Sequence, residues 1–294
     1  MSSQSKSGFF LGLIFFAAIF LWAAFSQAPT PELSLYFFDV GQGDSILIQK
    51  QNEQVLIDGG PSAKILEHLS RALPFGDKTI ELAILSHNHA DHLTGLNEVL
   101  KNYEVKEVWW SGTRYTTQEY QEWLNLLGQK SLNQKVVWRG ENKDLPIGTQ
   151  LTVVAPATNQ EGKEPKNQHD STVVIKLVYS QFSTLLTGDI EEPIEAEMVK
   201  EISPELKAQV LKVPHHGSNN GLLLEFLKVV NPEVAMISAG RNNSYGHPHQ
   251  STLKKLEEAR VKTYRTDKDS TIKIETDGQK YWIETGKIRY NNSD

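Results

Sequence analysis

The sequence predicts a layered α/β fold, and three observations carry that reading. Short apolar runs of strand length alternate with longer runs of helical spacing, Gly and Asp residues close the strand-like runs, and the second half repeats the layout of the first. Residues 35–40 and 45–49 are β-rich and separated by Gly41-Gln42-Gly43-Asp44, and a third strand, 54–57, runs into Asp58-Gly59-Gly60. Ile65, Leu66, Leu69 and Leu73 give residues 63–73 helical spacing, and 80–85 is a buried-strand run ending at a histidine cluster. Helix 93–103, strand 105–110, helix 118–127 and strand 135–139 continue the alternation. Strand 148–155 precedes a polar loop, 158–167, and then come paired strands 172–179 and 182–187. Helix 190–202, strand 209–213, helix 220–230, strand 234–238, loop 239–249, helix 251–260 and strand 261–265 follow, before a hairpin turning at Asp277-Gly278. Polar groups fall repeatedly just past strand ends.

A chain of 294 residues suits one catalytic domain around one core. With 30 Lys+Arg against 36 Asp+Glu, the net charge of -6 gives no basis for a sequence-blind grip on nucleic acid, so a phosphate-bearing substrate must be held locally. The chain has no cysteine, which removes disulfides, thiolate metal sites and a cysteine nucleophile together. Histidine and carboxylate remain as the strong metal ligands.

Residues 8–25 contain no charged or strongly polar side chain, and eighteen apolar residues are at the lower edge of what spans a bilayer at about 1.5 Å per helical residue. The same run reads equally as a signal peptide, because Ser26 and Ala28 supply small residues at a cleavage spacing. Lys6, with no Lys or Arg until Lys50, favours a cytoplasmic N-terminus and an extracytoplasmic domain. The chain therefore divides into 1–32, a signal peptide or membrane anchor with a Pro-rich spacer, and 33–294, the folded domain.

His87-Asn88-His89-Ala90-Asp91-His92 packs three imidazoles and a carboxylate into six residues behind a buried strand. Imidazole and carboxylate are the ligands Zn²⁺ takes when thiolates are absent. His87 and His89, two apart on extended backbone, can address one metal, and Asp91 and His92 a second once the chain turns. Two metals about 3.5–4 Å apart would clamp and activate a water.

This segment resembles the H-x-H-x-D-H signature of the metallo-β-lactamase superfamily. Its neighbours, Phe37-Phe38-Asp39-Val40-Gly41-Gln42-Gly43-Asp44-Ser45, Leu56-Ile57-Asp58-Gly59-Gly60, Leu185-Leu186-Thr187-Gly188-Asp189, Leu211-Lys212-Val213-Pro214-His215-His216-Gly217-Ser218 and Asn243-Ser244-Tyr245-Gly246-His247-Pro248-His249, are similar to the hydrolase domain attached to ComEC-type competence DNA-uptake channels. The likeness runs from about Leu33 to Trp282 and lacks the family's multi-span channel. It implies a four-layer αββα sandwich behind the N-terminal hydrophobic segment, and two divalent ions, zinc or else manganese. It makes Asp189 the carboxylate bridging both ions, where the plain reading is a helix N-cap. It aligns His216 as a ligand of the second ion, with His215 beside it as a substrate contact or the reverse, and points to His169 for the first ion unless that residue is only part of a loop.

By the same resemblance the loop carrying Tyr245 and His247 faces the metals. His247 and Ser218 would then hold phosphate oxygens or protonate the leaving group, unless the loop merely caps the next helix. Asp91 and His247 are the catalytic candidates, with Tyr245 and Asp58 as substrate or supporting residues. Asp39, Gln42 and Asp44 would build the walls, and His68 would be a surface or packing residue outside the site. A basic patch of Lys163, Lys166, Lys212 and Arg241 would grip the substrate. The expected activity is phosphodiester hydrolysis of DNA outside the membrane, beside a separate channel protein. The alternatives are an extracellular phosphocholine-type esterase of the same fold and a non-catalytic metal-binding module of an uptake channel.

Overall fold

The computed structural model describes residues 32–286 apart from 131 and 147. The apolar run 8–25 and most of its spacer lie outside the described residues. Among the described residues no helix is long and apolar enough to cross a membrane.

Two mixed sheets make the centre of the fold. The first has eight strands in the order β15-β14-β1-β2-β3-β4-β5-β6, comprising β1 (Leu33–Phe37), β2 (Ile46–Lys50), β3 (Glu53–Ile57), β4 (Thr79–Ile84), β5 (Glu104–Trp110), β6 (Asn133–Val136), β14 (Ile272–Thr276) and β15 (Tyr281–Thr285). The second has seven, β13-β12-β11-β10-β9-β8-β7, from β7 (Asn142–Leu145), β8 (Thr149–Ala155), β9 (Val174–Tyr179), β10 (Phe182–Leu186), β11 (Val210–Lys212), β12 (Val234–Ile237) and β13 (Lys262–Arg265). Period-2 alternation sorts the side chains. Leu33, Leu35 and Phe37 on β1 enter the core between the sheets, whereas Tyr36 and Phe38 enter the one under the helices.

Helices α1 (Lys64–Ala72), α2 (Ala90–Asn102) and α3 (Gln118–Gln129) cover the outer face of the first sheet through Ile65, Leu69, Leu96, Val99, Tyr120 and Trp123. Helices α4 (Glu192–Ile202), α5 (Leu224–Val230) and α6 (Gln250–Glu258) cover the second through Met198, Ile202, Phe226, Leu227 and Leu256. The result is the expected αββα sandwich. Three local readings shift. The expected strand 135–139 begins two residues earlier, and the helix expected over 220–230 begins only at Leu224 because residues 219–221 form a turn. The unexpected β7 is an edge strand with one buried side chain, Leu145, held by antiparallel pairing with β8 and so without an apolar pattern to read.

Backbone contact seats the helix that carries the histidine cluster. A Cβ on Gly95 would lie 1.9 Å from the Gly59 carbonyl oxygen, and the Gly59 N–H donates to the His92 carbonyl at 2.8 Å. Neither chain can yield, because both atoms are backbone. Gly95→Ala is expected to lower stability by about 3 kcal/mol or more and to displace the first turn of α2, weakening metal affinity. Denaturant midpoints and a zinc titration check it; an unchanged midpoint would contradict it.

A second buried feature links stability to pH. Glu195 on α4 is fully buried; its Oε2 accepts from the Leu223 N–H at 2.5 Å, while Oε1 has no partner among the described residues. Burial first, then the neighbouring Glu192, pushes its pKa up to about 8. The folded state therefore holds a proton that the unfolded chain releases near pH 4.5, so this group's contribution is full below that pH and falls until about pH 8. Glu195→Gln should leave stability near pH 5 little changed and raise it at pH 8.5 by on the order of 3–5 kcal/mol, readable as a higher Tm only at the higher pH.

Candidate metal centre

The site lies where the strands of both sheets end. The extension of β4 delivers His87, and His89 leads into the first turn of α2, which carries Asp91 and His92. A one-turn helix, Gln168–Ser171, between β8 and β9 brings in His169, and the Val173 N–H ties that segment to the Ser86 carbonyl at 2.8 Å. Asp189 follows β10. His216 follows β11 on a turn in which His215 (φ 47°) and His216 (φ 53°) both take the left-handed conformation. Two consecutive non-glycine residues in that region carry roughly 1–3 kcal/mol of strain each, of the kind found at functional sites.

Two groups of ligand atoms result. His87 Nε2 and His169 Nε2 each lie 3.0 Å from His89 Nδ1, a triangle of imidazole nitrogens. Asp91, His92, Asp189 and His216 form the second group. Asp189 Oδ2 stands 3.2 Å from both His92 Nε2 and His216 Nε2 and 4.0 Å from His87 Nε2, between the two groups.

The outer nitrogens of three rings are engaged, so the other nitrogen of each faces inward. His92 Nδ1 is 2.7 Å from Asp58 Oδ2, and Asp58 itself accepts from the Ser86 N–H and hydroxyl. His216 Nδ1–H donates to the Ser238 carbonyl at 2.9 Å, and His169 Nδ1 is 3.0 Å from Glu191 Oε1. Lys212, fully buried, is 2.5 Å from Asp44 Oδ2 and 3.4 Å from Asp189 Oδ1, turning the other oxygen of Asp189 to the site.

The electrostatics favour a cation. Burial, joined by His92, holds His87 well below the ordinary histidine range, and burial with His169 brings His89 down to about 4, so both stay neutral as ligands must be. Burial would also depress His92, but Asp189, Asp58 and Asp91 outweigh it and hold its pKa well above the usual value; Asp189 does the same for His216. Asp44, Asp58 and Asp189 are buried beside the half-buried Asp91, with Lys212 the lysine among them. Protons on His92 and His216 thus supply positive charge that a metal would otherwise bring. The donor set of imidazole and carboxylate without thiolate fits two divalent ions.

An open cavity of about 430 Å³ lies over both groups, lined by His89, Asp91, His169, Asp189, His215, His216, Tyr245 and His247 among others. His215 Nδ1 is 3.2 Å from Glu191 Oε1, though the angle makes no hydrogen bond. Burial, with His216 and His215 next in effect, lowers His247 to about 4, so at neutral pH its ring is an N–H donor rather than a charged acid. Tyr245 is 65% exposed and stacks on His247.

Every residue of the expected metal set reaches one of the two groups. Two expectations are corrected. Ser218 does not face the cavity: it is buried, its hydroxyl donating to Asn220 Oδ1 at 2.6 Å. Lys212 belongs to no surface patch, since Asp44 and Asp189 hold it inside. His68 packs on Phe38 with ring centroids 5.0 Å apart, as expected. Sequence reasoning missed Glu191, Tyr115 and Thr117. Tyr115 and Thr117 follow β5, so the placing of polar groups past strand ends was their one signal.

A family model described as the metallo-beta-lactamase superfamily matches residues 38–241. The chain belongs to the metallo-β-lactamase superfamily. As a member of that superfamily it has a metallo-hydrolase fold, and its ligand clusters could hold divalent ions. It is 32% identical over 255 residues to ComE operon protein 3 of Bacillus subtilis, covering 80% of this chain and 32% of that protein. It is 26% identical over 273 residues to competence protein ComA of Neisseria gonorrhoeae, covering 87% of this chain and 35% of that one. The chain thus spans about a third of the length of these curated relatives. Among solved structures it is similar in fold to Igni18, a metallo hydrolase of Ignicoccus hospitalis (TM-score 0.54, 16% identity, 83% of this chain and 99% of that one). The metallo-β-lactamase fold protein YhfI of Bacillus subtilis matches with a TM-score of 0.54 at 12% identity, over 83% of this chain and 100% of that one.

Proposed function

We propose that this chain is a metal-dependent phosphodiesterase that cleaves DNA outside the cytoplasmic membrane in competence-type DNA uptake. The observation that carries the reading is Asp189 Oδ2 standing between two complete ligand groups under an open cavity. His87, His89 and His169 would hold one ion, Asp91, His92 and His216 the other, and Asp189 both. Ions bound there would supply Lewis acidity and acidify water.

The chain's own groups do the rest. Lys212 and Asp58 fix Asp189 and His92 in place. His247 and His215 stand at the rim as N–H donors for the phosphate oxygens on which charge develops. Kinship with competence proteins supports DNA as the substrate and a separate channel protein as a partner, and the apolar run 8–25 supports an anchored or secreted protein.

The test is incubation of the purified protein, loaded with Zn²⁺ or Mn²⁺, with bis-p-nitrophenyl phosphate, linear DNA and p-nitrophenylphosphorylcholine. Cleavage of the first two is expected. Hydrolysis of the choline ester alone would replace the nuclease with an esterase, and turnover of none would leave a non-catalytic module.

Glu191 joins His169 and His215 on one oxygen, so Glu191→Gln should loosen the first ion's site about 10–100-fold in metal affinity, the usual effect of removing such a support. A competitive chelator titration reads it; unchanged affinity of both ions would contradict it.

A further inference from the structure

The metal cavity does not end at the metals. It shares His89 and Tyr115 with a smaller cavity of about 200 Å³, which in turn shares Arg114, Tyr115 and Glu164 with a third of about 850 Å³. The three form one trough leading away from the ligand groups along the end of β5, between α3, β6 and residues 159–164. Its outer wall is built: the Arg114 N–H donates to the Lys163 carbonyl and the Gly162 N–H to the Gly112 carbonyl, at 2.8 and 2.9 Å. At Gly112 a Cβ would meet Val136 at 2.8 Å and the Glu161 backbone at 3.1 Å, so the wall needs glycine there to close up.

From this arrangement we infer that the trough is a binding site for an unpaired DNA strand, holding the nucleotides on one side of the phosphodiester at the metals. The inference rests on the phosphodiesterase reading for its substrate class. Tyr115 and Trp138, both half-buried, line the trough with Leu124 exposed beside them, over a floor of Trp110 and Tyr120, which are buried in the core under the helices. The Trp110 indole nitrogen is buried and has no hydrogen-bond partner among the described residues. Arg114 and Lys135 supply cations along the same path, each near a carboxylate, Glu164 at 4.0 Å and Glu141 at 2.5 Å.

The reachable rings of Tyr115 and Trp138 beside Arg114 and Lys135 suit a strand whose bases can stack while its phosphates are paired. A duplex offers no free base face to such a wall. It presents its phosphates outermost, beside Glu161 and Glu164, with no stacking to offset that repulsion. The overall negative charge of the chain is then no obstacle, because stacking supplies what a broad basic surface would.

The test is fluorescence anisotropy of the full-length, metal-loaded protein with a labelled, hydrolysis-resistant phosphorothioate oligothymidine of twelve nucleotides, alone and paired with oligodeoxyadenosine. The single strand is expected to bind at least about 10-fold tighter than the duplex. Trp138→Ala and the exposed Arg114→Ala should each weaken it about 5-fold or more, while Phe75→Ala, on a fully exposed loop after α1, should not. Equal or tighter duplex binding, or wild-type affinity in both trough variants, overturns the proposal. Hydrolysis of bis-p-nitrophenyl phosphate, run in parallel, separates the two readings: its failure sinks the phosphodiesterase alone, whereas intact hydrolysis with unchanged strand binding sinks the trough alone.

Discussion

Asp189→Ala is expected to lower bis-p-nitrophenyl phosphate hydrolysis by about 10³-fold or more, since losing an interaction of roughly 4 kcal/mol in the transition state is worth that factor. The residue stands between both ligand groups, with Oδ2 at 3.2 Å from His92 and His216 and 4.0 Å from His87. Its removal should also reduce bound metal, because the second group keeps only one carboxylate, Asp91, which is half exposed to the cavity. Asp189→Asn separates charge from shape, since the amide fills the same space without the negative charge. Activity retained within tenfold in both variants would contradict the bridging role.

The second large effect concerns Lys212. Burial works against its charge, but Asp44 and Asp189 outweigh that and hold its pKa above the usual lysine value. Lys212→Met would remove the lysine from two buried carboxylates and leave them only the protons of His92 and His216, expected to lower stability by about 3–5 kcal/mol. In a chain of this size that is a fall in Tm of roughly 6–20 °C for the metal-free protein. Saturating zinc should recover part of the loss, because the ion binds the folded state and neutralises Asp189 from its other side. Calorimetry with and without zinc checks both parts, and an unchanged Tm in the metal-free variant would contradict them.

How much of this was legible in the sequence depended on what each residue's signal was. The sandwich could be read because apolar period-2 runs such as Leu33-Ser34-Leu35 and helical spacing such as Ile65 and Leu69 are local consequences of which face is buried. The cluster from His87 to His92 is local too. Glu191 was not legible: two residues past Asp189 it looks like an ordinary acidic first turn, and only the fold brings His169 and His215 to it. Lys212 misled for the opposite reason. A lysine within a strand run reads as surface charge unless its buried partners, here Asp44 from 168 residues earlier, are already known. Ser218 lies next to a turn of unusual backbone, so neighbourhood in sequence said little about the direction of its hydroxyl.

Anomalous scattering from zinc-soaked crystals tests the two-ion centre most directly. Two peaks about 3.5–4 Å apart are expected. One should be ringed by His87, His89 and His169, the other by Asp91, His92 and His216, with Asp189 touching both. A single peak, or one held by His169, Glu191 and His215 instead, would contradict it.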